Sequence, residues 1–111
     1  MKKKGMVKFQ GEESKGLMHY IEYDGGFVSI TRNSSRKIKV INNTGKLKVT
    51  FGLLSKDYNE LQIEIIDNVS SVKEVFNFMK DNKHTHYKKF VDDLVILKYS
   101  TGKIVLTKYF S

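Results

Sequence analysis

Strict alternation of apolar and polar residues is the feature that most restricts how this chain can fold. In the segment Lys46–Leu53, one set of alternate residues is apolar and consists of Leu47, Val49, Phe51 and Leu53. The residues between them are polar and consist of Lys46, Lys48 and Thr50. Because successive side chains of a β-strand point to opposite faces, this period of two predicts a half-buried strand.

Weaker forms of the same pattern recur along the chain and predict about seven short strands. The other predicted strands are Met6–Gln10, Leu17–Tyr23, Phe27–Thr31, Leu61–Asn68, Leu94–Tyr99 and Lys103–Tyr109. The glycines of Asp24-Gly25-Gly26 predict a tight turn between two of them. Short strands joined by turns favour a mainly β (α+β) fold: a small antiparallel barrel with one or two short helices, formed by residues 1–111 as a single domain.

One helix is predicted with some detail, from Val72 to about Lys83. Apolar residues follow at helical spacing, namely Val72, Val75, Phe76 and Met79. Ser71 and Glu74 match a capping box, in which Ser71 is the N-cap residue.

Composition excludes several classes of function. The chain has 111 residues and no cysteine, so disulfides and thiolate chemistry are excluded. No apolar run approaches the roughly 20 residues of a membrane span, and no signal peptide follows Met1, so no membrane partner and a cytoplasmic location are expected. The net charge of +8 comes mainly from lysines spread along the chain, which we attribute to compositional bias. It still favours anionic ligands.

The stretch Ser29–Lys37 concentrates chemistry that suits a phosphate. It contains both arginines of the chain, Arg32 and Arg36, together with Lys37 and several hydroxyl groups. Guanidinium groups match phosphate oxygens with a planar fork of donors, and a helix start adds free backbone N–H groups. A solvated basic turn is the alternative interpretation, because charged runs usually face water.

The segment Ser35–Asn43 is ambiguous when only its residues are considered. Ser34 or Ser35 could cap a helix that ends near Thr44-Gly45. The alternation in Lys37-Ile38-Lys39-Val40 instead favours a strand, and its β-branched residues are weak helix formers.

Other polar residues give weaker signals. His84 and His86 could face the same side of a strand, but no third ligand is visible, so no metal site is predicted. His19 is interpreted as a packed histidine on a strand, and Asp92-Asp93 as a solvated turn. Tyrosines among scattered lysines could form a stacking surface for single-stranded nucleic acid, although tyrosines also suit half-buried strands.

The residues Ile30-Thr31-Arg32-Asn33-Ser34-Ser35-Arg36-Lys37, followed by Ile41 and the strand Lys46–Phe51, resemble the pyridoxamine 5′-phosphate oxidase-like split-barrel flavoproteins. In that family a threonine precedes Ser-Arg-Lys by three variable residues, and an apolar residue follows the lysine by four. Thr31, Ser35 and Ile41 keep this spacing.

The resemblance implies a split β-barrel homodimer that binds flavin mononucleotide (FMN) at the subunit interface. It implies that Thr31, Ser35, Arg36 and Lys37 hold the flavin phosphate, with the backbone of Ile30 near the isoalloxazine ring. It also resolves the segment Ser35–Asn43 as a short helix. A flavin-dependent oxidoreductase of unknown substrate is the implied activity, and no side chain is nominated as acid or base.

The sequence also departs from the family pattern. The better-studied oxidases carry an arginine on the preceding strand, whereas Gly16–Ile21 contains neither arginine nor lysine. Oxidation of pyridoxamine phosphate is therefore not implied. Two alternatives stay open: a basic barrel that binds nucleic acid, and a degenerate, non-catalytic split barrel.

Overall fold

The computed structural model describes residues 3–10 and 15–100. They form six strands and two helices: β1 (Lys4–Gln10), β2 (Lys15–Tyr23), β3 (Gly26–Arg32), α1 (Arg36–Thr44), β4 (Lys46–Phe51), β5 (Asn59–Ile66), α2 (Val69–Asp81) and β6 (Leu94–Tyr99). The predicted strand Lys103–Tyr109 lies outside the described residues. The helix that the resemblance implied for Ser35–Asn43 is confirmed, against the local preference for a strand.

The strands close into an antiparallel barrel in the order β1-β2-β3-β6-β5-β4, with β4 pairing back onto β1. The predicted mainly β fold, a small antiparallel barrel with two helices, is confirmed. The turn at Asp24-Gly25 joins β2 to β3, and both residues have positive φ, at 50° and 79°. These angles suit a two-residue hairpin turn that follows the twist of the strands.

Alternate side chains of all six strands fill the barrel, as the period of two predicts. Leu47, Val49 and Phe51 of β4 point inward, and α1 closes the interior with Ile38 and Ile41. Leu53 does not continue this face. β4 ends at Phe51, and Leu53 is exposed.

Thr50 differs from the simple alternation in another way, because it is buried although it lies on the opposite face from Val49 and Phe51. The segment after β4 folds back beside it, and the Ser55 hydroxyl lies within hydrogen-bond distance of the Thr50 hydroxyl.

Helix α2 packs on the outside of the barrel, over β2, β3 and β6. Its predicted apolar face is confirmed: Val72, Val75, Phe76 and Met79 are buried in one cluster with strand residues that include Ile21, Val28 and Ile30. The barrel wall at β3 therefore lies between two apolar clusters, one inside the barrel and one beneath α2.

The start of α2 corrects the predicted capping box. The N-cap residue is Asn68, whose side-chain oxygen accepts a hydrogen bond from the Ser71 backbone N–H at 3.1 Å. Ser71 therefore lies inside the first turn, and Glu74 accepts a hydrogen bond from the Tyr23 hydroxyl instead of completing a box. Asparagine competes well with serine for an N-cap position, so the helix begins one turn earlier than the sequence predicted.

We expect Asn68→Ala to destabilise the protein by about 1 kcal/mol, because the N–H group of Ser71 loses its partner. Ser71→Ala is the matched control and should change stability by less than about 0.5 kcal/mol, since it removes no capping group. Urea unfolding of the two variants measures both values. A larger loss for Ser71→Ala than for Asn68→Ala would contradict the assigned cap.

Strands β2 and β3 separate after only three paired positions, namely Ile21↔Val28, Glu22↔Phe27 and Tyr23↔Gly26. Beyond them the Ser29 hydroxyl donates to the His19 carbonyl at 2.6 Å, and the Tyr99 hydroxyl donates to Ser29 at 2.8 Å. We call the opening between residues 17–19 of β2 and 29–31 of β3 the split. β3 keeps six paired positions with β6 on its other side, so the barrel wall opens on one side of β3 only.

Neither α1 nor α2, the helices of the described ranges, has the length and apolar character needed to cross a bilayer.

Candidate functional site

A cavity of about 430 Å³ lies at the split. Its lining includes the three predicted site residues Ile30, Thr31 and Lys37. The other lining residues come from β1, β2, α2 and the segment that follows α2, and they are Met6, Leu17, Met18, His19, Met79, Thr85, His86 and Tyr87. Met18 belongs to the cluster inside the barrel, whereas Ile30 and Met79 belong to the cluster beneath α2. The cavity thus passes through the barrel wall.

Two larger concavities, of about 470 and 510 Å³, lie elsewhere. The first is lined by residues that include Ser100, and the second by residues that include Gln10. Both Ser100 and Gln10 adjoin segments outside the described residues, so these volumes depend on chain that the structure does not describe. The cavity at the split contains predicted site residues, and we take it as the candidate site.

Lys37 is the most informative residue of this cavity. The residue is only 9% exposed, and burial lowers the pKa of its ammonium group. Its Nζ atom donates to the Ser35 hydroxyl at 2.7 Å and lies 4.7 Å from the centre of the Phe9 ring. No carboxylate pairs with Lys37 among residues 3–10 and 15–100. A buried cation without an anionic partner is costly, and an anionic ligand would supply that partner.

The start of α1 lies beside Lys37 and is open to an anion. Ser35 is the N-cap residue, but its hydroxyl accepts from Lys37 and makes no capping hydrogen bond to the helix. The first turn of α1 contains no acidic residue. Backbone N–H groups at the start of a helix carry partial positive charge and suit phosphate. Lys37 and Thr31, which line the cavity, and the start of this nine-residue helix are the groups that could bind one anion here.

The two arginines have different surroundings from those that the sequence suggested. Arg32 forms an ion pair with Asp93, with Nε and Oδ2 3.2 Å apart. The Ser34 hydroxyl donates to the same carboxylate at 2.7 Å. Arg32 is thus engaged in holding the turn before α1. Arg36 is exposed and has no ion pair within the described part of the chain.

Asp93 therefore has a structural role that the interpretation of Asp92-Asp93 as a solvated turn missed. The hydrogen bond from the Ser34 hydroxyl, followed by the one from Arg32, holds the pKa of the Asp93 carboxyl below its usual value. The Asn33 N–H also donates to the Asp93 carbonyl at 2.7 Å. Together these contacts fix the loop that carries Ser35 toward the cavity.

Histidines form part of the cavity wall opposite α1. His19 and His86 line it, and the His84 ring lies edge-on to the His19 ring with centroids 4.6 Å apart. Sequence reasoning treated His19 as a packing residue and did not connect it with Lys37. Within residues 3–10 and 15–100, no group of three or more His, Asp or Glu side chains is arranged to hold a metal ion.

Sequence reasoning did not assign Met79, Thr85 or Tyr87 to this site. They approach the cavity from the end of α2 and the segment after it, about 50 residues along the chain from the motif. No local pattern marks them as ligand-binding residues, because their position depends on how α2 packs across β3.

A closed antiparallel barrel with one opened strand pair, and a helix start beside the opening, defines the split-barrel class. Solved structures of this class are similar to the chain throughout most of its length. General stress protein 26 from Bacillus anthracis has a TM-score of 0.58 and 19% identity, and the match covers 90% of this chain and 80% of that one.

Two further structures show the same likeness. A pyridoxamine 5′-phosphate oxidase-like protein from Listeria innocua has a TM-score of 0.55 and 12% identity, with 88% of this chain and 82% of that one covered. A NimC/NimA family protein from Clostridium acetobutylicum has a TM-score of 0.52 and 13% identity, with 88% and 73% covered.

No family model and no curated protein sequence matches the chain. The structural likeness establishes that the chain has the split-barrel fold of the pyridoxamine 5′-phosphate oxidase-like proteins, which confirms the fold that the sequence resemblance implied. It does so at identities too low to transfer an activity.

Proposed function

We propose that this protein binds FMN at the split and acts as a flavin-dependent oxidoreductase on a small molecule that is not identified. The observation that carries the proposal is Lys37, a buried ammonium group without a carboxylate partner in the described residues, placed at an uncapped helix start on the wall of a cavity. A phosphate ester supplies the charge that this position lacks.

The residues of the cavity match the two parts of such a ligand. Thr31, Ser35, Lys37 and the N–H groups of α1 would hold the phosphate, and the exposed Arg36 side chain would reach it from the first turn. Met18, Ile30 and Met79 are apolar and would contact a flat ring. A volume of about 430 Å³ falls in the range of roughly 300–1,000 Å³ that is typical of small-molecule sites.

When bound, the flavin would supply the capacity for hydride or electron transfer. The chain's own contribution would be to orient the ring against the wall of the split and to exclude water with its methionines. No described side chain is required as a nucleophile, in agreement with the absence of cysteine from the sequence.

We further propose that two copies of the chain form the site, as the sequence resemblance implies. Leu17 lines the cavity yet is 53% exposed, so an apolar side chain faces solvent at the candidate site. A second copy packed over β2 would cover Leu17 and shield the ring from water. Sedimentation velocity with and without FMN measures this assembly, and a monomer that still binds FMN tightly would contradict it.

Flavin titration tests the central proposal. Adding FMN to the flavin-stripped protein should quench flavin fluorescence and shift the visible absorbance, and FMN should bind more tightly than riboflavin, which lacks the phosphate. Equal affinity for the two compounds would contradict the phosphate site. Failure of both to bind at micromolar concentrations would overturn flavin binding altogether.

Arg36→Ala should weaken FMN binding by about 1.5 kcal/mol, the lower end for a hydrogen bond to a charged group, because Arg36 is exposed. Riboflavin affinity should stay unchanged. Lys39→Ala is the matched control, because Lys39 is also exposed on α1 but lies three residues further along the helix, and it should alter FMN affinity by less than about threefold. Fluorescence titration measures the FMN and riboflavin affinities of both variants, and a larger effect of Lys39→Ala than of Arg36→Ala would contradict the assignment.

A further inference from the structure

His19 has an arrangement that packing alone does not require. It lines the cavity at the split, and its ring forms no hydrogen bond with any other described residue. Its backbone carbonyl accepts from the Ser29 hydroxyl, which fixes the main chain at this point of β2. The imidazole nitrogens are therefore left for a ligand in the cavity.

A second histidine holds the first in position. His84 Nε2 lies 2.8 Å from the Gly5 carbonyl, and a carbonyl oxygen only accepts, so Nε2 carries the proton. This hydrogen bond fixes the His84 ring, which packs edge-on against His19. Burial, followed by the proximity of His84 and His86, lowers the pKa of His19. A neutral imidazole offers one donor and one acceptor.

Lys37 of α1 and His19 of β2 lie at different heights along β2. Lys37 Nζ lies over the ring of Phe9, and Phe9 pairs with Gly16, three residues before His19. Three strand residues span roughly 10 Å, at about 3.3 Å per residue. Gly16 and Met18 face the barrel interior, whereas His19 faces the side beneath α2. The cavity therefore carries a cationic end inside the wall and an imidazole end outside it.

We propose that His19 is a specificity-determining residue that hydrogen-bonds to the polar edge of the ligand's ring. The ligand class is a phosphate ester whose heteroaromatic ring carries amide-like donors and acceptors. His84 is a positioning residue that acts through His19. This inference rests on the proposed function, because it assumes that the phosphate of the same ligand is bound at Lys37.

The affinities for FMN and for riboflavin distinguish the roles of the two ends of the cavity. His19→Leu should weaken FMN and riboflavin binding by the same factor, roughly 3- to 10-fold, because both compounds have the same ring. Lys37→Met should weaken only FMN binding. His19→Gln should restore most of the affinity, since an amide side chain also offers a donor and an acceptor. His84→Phe should reproduce part of the His19→Leu loss for both flavins.

Thermal melting of each variant confirms that it is folded, and His19 is a suitable position because it is only half-buried. If wild-type protein binds FMN and Lys37→Met abolishes this binding, yet His19→Leu leaves both affinities unchanged, the inference is wrong while the phosphate site stands. A loss for His19→Leu that affects FMN alone would also overturn it. If the wild-type protein binds neither flavin, the proposed function itself fails.

Discussion

Replacing Lys37 with methionine should weaken FMN binding by about 3 kcal/mol, or roughly 150-fold, while making the free protein more stable. The two effects have one cause. The ammonium group is buried beside Phe9, and among the described residues its hydrogen-bond partner is the Ser35 hydroxyl; methionine of similar length avoids that desolvation. We expect a gain of about 0.5–2 kcal/mol in unfolding free energy. When FMN binds, the variant lacks the positive charge that would pair with the phosphate.

Lys39→Met is the matched control. Lys39 lies on the same helix but is exposed, so its replacement should change neither flavin affinity nor stability by a measurable amount. Fluorescence titration and urea unfolding of the two variants provide the comparison. A Lys37→Met protein that is less stable than wild type and binds FMN normally would show that Lys37 serves the fold and not a ligand.

Gly16→Ala should disturb the same end of the cavity from the opposite side. A Cβ atom at Gly16 would lie 2.4 Å from the tip of the Phe9 ring, which is too close for any real contact. The ring is buried and must move, so we expect a loss of about 1–3 kcal/mol in stability from overpacking. Because Lys37 Nζ lies over this ring, FMN affinity should also fall, by at least threefold.

Gly26→Ala separates this steric effect from the general effect of replacing a strand glycine. Its Cβ would have no neighbour closer than 3.6 Å, which is ordinary contact distance, and Gly26 begins β3 as Gly16 lies near the start of β2. We expect the unfolding free energy of Gly26→Ala to lie within about 0.5 kcal/mol of the wild-type value. Equal losses for both variants in urea unfolding would mean that Phe9 accommodates the extra methyl group.

Strands β4 and β5 could be predicted from a period of two because each buries mainly one face. Strands β3 and β6 are buried on both faces, since α2 covers their outer side, so alternation does not mark them. α1 could not, since Lys37-Ile38-Lys39-Val40 alternates like a strand. The family spacing of Thr31 and Ser35 identified it, and burial of Ile38 and Ile41 at the end of the barrel stabilises it. In this segment, tertiary packing outweighs the local preference for a strand.

Three of the predicted site residues, Ile30, Thr31 and Lys37, line one cavity, and their role in binding stays a prediction. The emphasis on two arginines did not anticipate that Asp93 engages Arg32, because that contact joins residues 61 apart in the chain. The presence of histidines in the cavity was also not predicted, because His19 and His86 are far apart in the sequence and only the fold brings them to one cavity.

The Ser29 hydroxyl helps to determine how a ligand would bind at the split. By donating to the His19 carbonyl, with Tyr99 donating to Ser29 behind it, the Ser29 side chain takes up an acceptor that a strand amide would otherwise use. The Ser29 side chain thus bridges β2 and β3 at the point where their backbones no longer pair. A cavity wall fixed by such contacts would lose little conformational entropy when a ligand binds, so we expect association to be limited mainly by diffusion and orientation.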